Sequence, residues 1–316
     1  MGFNFQIRLD LPQELYDHII SYLDGCDMYQ FCLVSKAWYS FWSPYLYRNV
    51  ALTGFNKRHD LETYFPRHLG QYVKEIEISC GGTITSGTYR NLKILTNYCP
   101  NVESLVCYGS DLPIEWWLIF QHVLREGHIW HKIREIPEPT ILTRDMELYY
   151  QSADLVRDSL QSIYLASPDD RCVMDQDVKR FAAYKNLRQV TVLAQKGFTT
   201  IEDFELLFRY TNHLTHMTID WTKSVPCEEW AQACTINDKR PFQNIQPCLS
   251  VKQLILHLHP DCCLDCYFPL LDYFCTKFIG LRVIFIANFI ESIYFSSLKT
   301  KAEIVTECDS IKDRDI

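Results

Sequence analysis

A short apolar pattern recurs along most of this chain and limits what the chain can fold into. The pattern is an apolar residue, two residues, an apolar residue, one residue, and an apolar residue. It occurs as Val73-Ile76-Ile78, Val102-Leu105-Cys107, Leu160-Ile163-Leu165, Leu187-Val190-Val192, Leu214-Met217-Ile219, Val251-Leu254-Leu256 and Leu281-Ile284-Ile286. A degraded copy, Ile133-Ile136, falls between the second and third. The starts are 73, 102, 133, 160, 187, 214, 251 and 281, so the steps are 29, 31, 27, 27, 27, 37 and 30 residues. Three consecutive steps of 27 are hard to obtain by chance, and the drift elsewhere reads as insertions in connecting segments. Amphipathic stretches with helical spacing lie between the copies: Tyr89-Leu92-Ile94-Leu95-Tyr98, Trp116-Trp117-Ile119-Phe120-Val123-Leu124, Val178-Phe181-Ala182-Tyr184, Phe204-Leu207-Phe208-Tyr210 and Phe268-Leu271-Phe274-Phe278. One strand-helix unit cannot bury its own apolar face, but stacked units share a continuous core. The sequence therefore predicts an α/β solenoid with short parallel strands on its concave side and helices on its convex side.

Strand alternation then assigns the faces. If positions 1, 4 and 6 of each copy point into the core, positions 3, 5 and 7 line the concave face. These are Glu75, Glu77 and Ser79; Ser104, Val106 and Tyr108; Ser162 and Tyr164; Gln189 and Thr191; His216, Thr218 and Asp220; Gln253, Ile255 and His257; Val283, Phe285 and Ala287. The face grades from acidic to more apolar. Glu75, Glu77, Tyr108, Tyr164, His216, Asp220, His257 and Phe285 are the candidates for touching a partner there.

The first 50 residues have a different texture. Leu11-Pro12-Gln13-Glu14-Leu15 opens a helix, with Pro12 suited to the first turn, where its missing N–H is not needed. Leu15, Ile19, Ile20 and Leu23 continue it, and Gly25 is placed to close it. Asp27 is expected to cap a second helix, whose apolar face is Met28, Phe31, Cys32 and Val34. Ser35 caps a third, which carries Trp38, Phe41 and Trp42 and is expected to end at Pro44. Three short helices make a small core that leans on a neighbour or a partner. The expected boundaries are 7–52 for this module, 53–295 for the repeats and 296–316 for a polar, frayed tail.

Composition narrows the function. Hydrophobic residues make up 47% of the 316 and charged residues 22%, so the chain can bury a core. The net charge of −8 repels phosphate backbones, and the densest basic run is only Lys57-Arg58-His59, so no nucleic-acid partner is expected. The N-terminal residues lack the basic flank and apolar run of a secretory signal. Gln6 stands where a myristoylation motif needs Ser or Thr. The most apolar stretch, from Phe278 to Phe295, holds Arg282, Asn288 and Glu291, which argues against a membrane span. These readings imply a soluble protein of the cytoplasm, the nucleus or both, whose 14 cysteines stay reduced.

No chemistry-bearing set emerges. His257-x-His259-x-x-Cys262-Cys263-x-x-Cys266 has zinc-like spacing, but no second Cys-x-x-Cys completes it, and cysteine is a common small core residue. No cysteine sits in a basic context, and no carboxylate pair stands out as acid and base. Gly81-Gly82 lacks the lysine and spacing of a phosphate loop. Trp116-Trp117 reads as packing. The sequence predicts no catalytic residue, no cofactor and no metal.

Two resemblances carry the functional reading. Leu11-Pro12-x-Glu14-Leu15, Ile19 or Ile20, Leu23, Asp27-Met28, Phe31, Val34-Ser35-Lys36-x-Trp38 and Leu46-Tyr47 resemble the F-box, with Met28 replacing the usual leucine. Cys99-Pro100-Asn101-Val102-Glu103-Ser104-Leu105 resembles a cysteine-containing leucine-rich repeat, and the Asn-Leu flavour persists at Asn186-Leu187 and Asn212-His213-Leu214. Together they look like a divergent, fungal-type F-box protein with leucine-rich repeats. The resemblance implies a non-catalytic receptor. Its F-box would dock on the adaptor subunit of an SCF-type cullin-RING ubiquitin ligase, and through it on cullin, while the repeats hold a protein substrate. By motif position the adaptor contact would be Leu11, Pro12, Glu14, Leu15, Ile19, Leu23, Phe31, Val34, Ser35 and Trp38. The rival expectation is a repeat-based scaffold acting outside ubiquitin ligation.

Overall fold

Three helices open the chain: α1 (Gln13–Ile20), α2 (Gly25–Val34) and α3 (Lys36–Leu46). The computed structural model describes residues 12–53, 55, 61, 65–79, 86–108, 112–126, 130–139, 143–166, 178–193, 201–220, 246–257, 268–287 and 303–307. The chain forms two compact units, Met1–Ile133 and Arg134–Ile316.

The helix boundaries depart from the sequence reading in three places. Asp24, not Asp27, is the N-cap of α2; it accepts from the Asp27 N–H at 2.8 Å, and Asp27 reaches back as the other half of a capping box. Gly25 accordingly starts α2 rather than closing α1. Pro44 lies inside α3 instead of ending it. Its missing N–H falls in the last turn, so one helical bond is lost, and Tyr47 N–H still closes the turn on the Ser43 carbonyl at 3.0 Å. Ser35 caps α3 as expected, accepting from Trp38 N–H at 3.2 Å.

The first unit continues with a parallel sheet in the order β1 (Asn49–Leu52), β2 (Glu75–Ser79), β3 (Ser104–Tyr108). Thus residues 49–52, expected within the helical module, form the first strand of the sheet. Helices α4 (Ser86–Tyr98) and α5 (Ile114–Arg125) connect and follow these strands. A 3-10 turn, Arg67–Tyr72, precedes β2. Gly70 in that turn lies against the Tyr98 carbonyl at the end of α4, where a Cβ would collide with backbone. The core holds Ile76, Ile78, Leu92, Leu95, Leu105, Trp116, Trp117, Phe120 and Trp130. Trp116 stacks on Phe120 at 4.9 Å between ring centroids, so the tryptophan pair is packing.

The second unit carries a six-stranded parallel sheet in chain order: β4 (Ser162–Ala166), β5 (Gln189–Leu193), β6 (His216–Asp220), β7 (Gln253–His257), β8 (Val283–Ala287) and β9 (Glu303–Glu307). Its helices are α6 (Thr143–Leu155), α7 (Ile201–Tyr210) and α8 (Phe268–Lys277). The stretch at Val178–Tyr184, predicted helical, contributes only a short turn ending in a 3-10 segment, Arg180–Ala183. The 296–316 segment, expected to be frayed, contains β9. Its Ile304-Val305-Thr306 core is β-branched and suits pairing with the open edge of β8.

Each of the seven full apolar copies gives one strand, and each strand begins two residues after the first apolar position. The registers align the copies: Ile163, Val190, Met217, Leu254 and Ile284 form one row, and Leu165, Val192, Ile219, Leu256 and Ile286 another. In the pairs β1–β2, β2–β3 and β4–β5 through β7–β8, the carbonyl just before the first strand accepts two N–H groups at the start of the second. Arg188 O takes Thr215 and His216 N–H at 2.8 and 3.1 Å; Thr215 O takes Lys252 and Gln253 at 2.8 and 3.3 Å. Arg134 O receives Gln161 and Ser162 in the same way, so the degraded copy at Ile133–Ile136 occupies an equivalent place in front of β4. Only Glu135 of that copy forms a strand-like bridge; the Tyr164 N–H, which would continue the ladder, donates to the Tyr149 hydroxyl instead.

The free edge of β4 is met by α6. Tyr149 Oη accepts the Tyr164 N–H at 2.8 Å, and Tyr150 Oη accepts the Ala166 N–H at 3.3 Å. Two tyrosines thus satisfy donors that a neighbouring strand would otherwise take.

Candidate functional site

The helical module packs around aromatic rings. Phe31 lies 5.0 Å from Trp42 and 5.4 Å from Trp38, and Phe41 meets Trp42 edge-on at 5.1 Å. Trp42 and Cys32 are buried, and burial pushes the Cys32 thiol up, so it stays protonated. What these helices leave outside is apolar. Leu15 and Ile19, one turn apart on α1, are 47% and 43% exposed; Leu33 and Val34, ending α2, are 62% and 64% exposed. Tyr22, Tyr29 and Tyr39 are exposed as well. Side chains of this size left in water over three short helices form an apolar surface of the kind a protein partner can cover.

The residues expected to meet an adaptor separate into three groups. Pro12, Glu14, Leu15, Ile19 and Val34 are exposed. Leu23, Phe31 and Trp38 are half-buried; Phe31 and Trp38 lie in the module's own aromatic cluster. Ser35 is exposed but committed to its cap. Leu11 lies outside the described residues. Tyr22, Tyr29, Leu33 and Tyr39 join the exposed set without having been expected there. Tyr29 and Leu33 are four residues apart on α2, but that helix is apolar on most sides, so periodicity alone does not assign its faces.

The sheets present the second candidate surface, one in each unit. In the first unit, Glu75, Glu77 and Tyr108 come to one face with Asn49, Ala51, Ser79, Ser104 and Val106, opposite the buried Ile76, Ile78 and Leu105. None of these eight face residues is buried. In the second unit, Tyr164, His216, Asp220 and His257 share a face, with Asp220 and His257 in register on β6 and β7. That face is less open than alternation predicts: Thr191, Leu193, Thr218 and Ala166 are buried on it. Burial, with Glu138, Glu135 and Asp220 nearby, holds the Tyr164 hydroxyl above the ordinary tyrosine range. His216 is exposed, with its Nδ1 2.8 Å from the Thr215 hydroxyl. Phe285 takes the third position of β8, in register with Ile255.

Among the described residues, no three of His, Cys, Asp or Glu group closely enough to hold a metal ion. His259, Cys262, Cys263 and Cys266 lie outside the described residues, as do Gly81 and Gly82. Burial pushes the Cys99 thiol up to about 12, the opposite of an activated nucleophile. Among the described residues no helix is long and apolar enough to cross a membrane.

Residues 9–53 match the F-box-like family model. The chain thus carries an F-box-like domain over its three helices and its first strand. No curated protein matches the chain. Among solved structures, a crystal structure of the Rad7 and Elc1 complex in yeast aligns over 93% of this chain and 90% of the matched chain, with 11% sequence identity and a TM-score of 0.34.

Proposed function

We propose that this protein is a non-catalytic substrate-recognition subunit of an SCF-type cullin-RING ubiquitin ligase. The F-box-like match over residues 9–53 carries the reading, since this kind of domain docks on the ligase's adaptor subunit. The exposed Leu15, Ile19, Leu33 and Val34 support it physically, because they supply the apolar surface such docking needs. The parallel strands that follow are read as irregular leucine-rich repeats, whose open sheet faces hold the substrate. The protein acts in the cytoplasm, the nucleus or both, uses no cofactor or metal, and leaves ubiquitin transfer to other subunits.

Affinity purification of the tagged full-length chain tests this. The wild type should recover adaptor, cullin and RING subunits together, and Leu11→Ala with Pro12→Ala should lose all three. Recovery of the adaptor alone would make the chain a scaffold outside ubiquitin ligation. Failure to recover the adaptor at all would remove the reading.

A further inference from the structure

The open face of β1, β2 and β3 has a one-sided chemistry. Its eight positions hold two carboxylates, Glu75 and Glu77, and no lysine or arginine. The same holds across the second sheet: no face position from β4 to β8 is Lys or Arg, in a chain that contains 31 of them. Two other glutamates of the first unit are neutralised locally. Glu103 accepts from Lys74 Nζ at 2.6 Å, and Glu126 accepts from Lys93 Nζ at 3.0 Å and from the Tyr89 hydroxyl at 2.9 Å. Among the described residues, Glu75 and Glu77 have no such partner. They are accessible, and they sit on a face where every neighbour is small, neutral or aromatic.

Geometry adds a spacing. Glu75 and Glu77 are alternate residues of one strand, so their side chains leave the same face roughly 7 Å apart. Alternate side chains of a second extended segment lying along the face have that same separation. Tyr108, 55% exposed at the end of β3 and in register with Ser79, offers a ring to a guanidinium at the end of such a segment.

From these observations we infer that the β1–β3 face docks an extended basic segment of the substrate protein, with Lys or Arg at alternate positions against Glu75 and Glu77. This rests on the receptor reading above and names the chemistry of what the receptor holds.

The test uses the full-length chain, with and without the SCF adaptor subunit, and two fluorescein-labelled degenerate peptide pools of equal length. One pool has Lys or Arg at alternate positions; the other has Asp or Glu there. Fluorescence anisotropy should show binding of the basic pool and not of the acidic one. Glu75→Gln with Glu77→Gln should weaken the basic pool roughly five- to tenfold, as expected for two exposed ion pairs. Raising the salt should weaken the wild type toward the variant's affinity. Glu115→Gln with Glu147→Gln, on exposed helix surfaces, should change nothing. Equal binding of the two pools, or an unchanged affinity in the Glu75/Glu77 variant, overturns the inference. Adaptor recovery measured on the same preparations separates the two claims. If the adaptor binds but the pools are not discriminated, only the inference falls; if the adaptor does not bind, the receptor reading falls while the pool preference is still readable.

Discussion

Leu33→Ala combined with Val34→Ala should abolish most of the adaptor affinity and leave the fold intact. Burying a whole leucine or valine side chain is worth about 1.5–3 kcal/mol. Leu33 and Val34 still expose 62% and 64% of their surface in the free chain, so a partner that covers them gains roughly 1–2 kcal/mol from each. Truncation to alanine removes most of that gain. The pair should therefore lose about 2–3 kcal/mol of binding, or roughly 30- to 150-fold in Kd. The free chain should barely respond, because exposed substitutions that break no cap or packed contact stay within about 0.5 kcal/mol. Trp42→Ala is the contrasting variant: Trp42 is buried against Phe31, Phe41 and Tyr45, and removing it should cost about 3–5 kcal/mol of stability. Isothermal titration against purified SCF adaptor subunit reads the first quantity, and urea melts read the second. An affinity within twofold of wild type, or a stability loss comparable to that of Trp42→Ala, would refute the reasoning, since these side chains would then face either nothing or the chain itself.

Three other outcomes follow from contacts in the second and first units. Tyr149→Phe removes the acceptor of the Tyr164 N–H on the edge of β4, and should cost about 1–3 kcal/mol in urea unfolding, with faster hydrogen exchange at Tyr164. Lys277→Met breaks a buried ammonium's pair with Glu205, held at 2.7 and 2.8 Å and shared with the Tyr273 hydroxyl; Glu205 is a third exposed and can rehydrate, so the loss should be about 2–3 kcal/mol by the same melts. Cys99 is protonated in both folded and unfolded states below pH 9, so it leaves stability unchanged there. Between 9 and about 12 only the unfolded thiol ionises, and stability falls by about 1.4 kcal/mol per pH unit. A Cys99→Ala variant should lose about 2 kcal/mol less than wild type between pH 8 and pH 10.5, and a parallel pH dependence of the two would rule this account out.

The strands were legible because two constraints act on the same residues. A buried parallel strand needs apolar side chains at every second position, and the step to the next copy must return the chain to the same edge. The seven full copies meet both constraints. Short polar residues ahead of them add a third signal: Asn101 Nδ2 donates to the Gln71 carbonyl at 2.8 Å, Asn186 Nδ2 to Asp158 at 2.6 Å, and the Ser250 hydroxyl to Asn212 at 3.0 Å. At Asn101 and Asn186 the asparagine ahead of the copy therefore ties its turn to the one before it. Helix α6 went unassigned although Met146, Tyr149, Tyr150 and Ala153 have helical spacing. It follows the degraded copy, where the prolines had already weakened the pattern. Strand β9 was hidden by the charges around it.

Which apolar side chains of the helical module stay exposed was not legible in detail, for a physical reason. A core position is specified by its neighbours, so periodicity finds it. A docking position is specified by a molecule that is absent, and it looks like core in the sequence. Leu33 and Cys32 are adjacent apolar residues of one helix, yet one is left in water and the other is buried. Only the packing of α2 against α3 distinguishes them. The same argument runs in reverse on the sheets: Thr191 and Glu77 both hold the third position of a strand, and alternation treats them alike. Thr191 is nevertheless covered, whereas Glu77 stays accessible and without a partner among the described residues. Unburied apolar side chains at one end and unneutralised carboxylates on a sheet face are both unsatisfied features of a single chain. Under the proposed reading each would meet a different class of partner, as a bridging subunit requires.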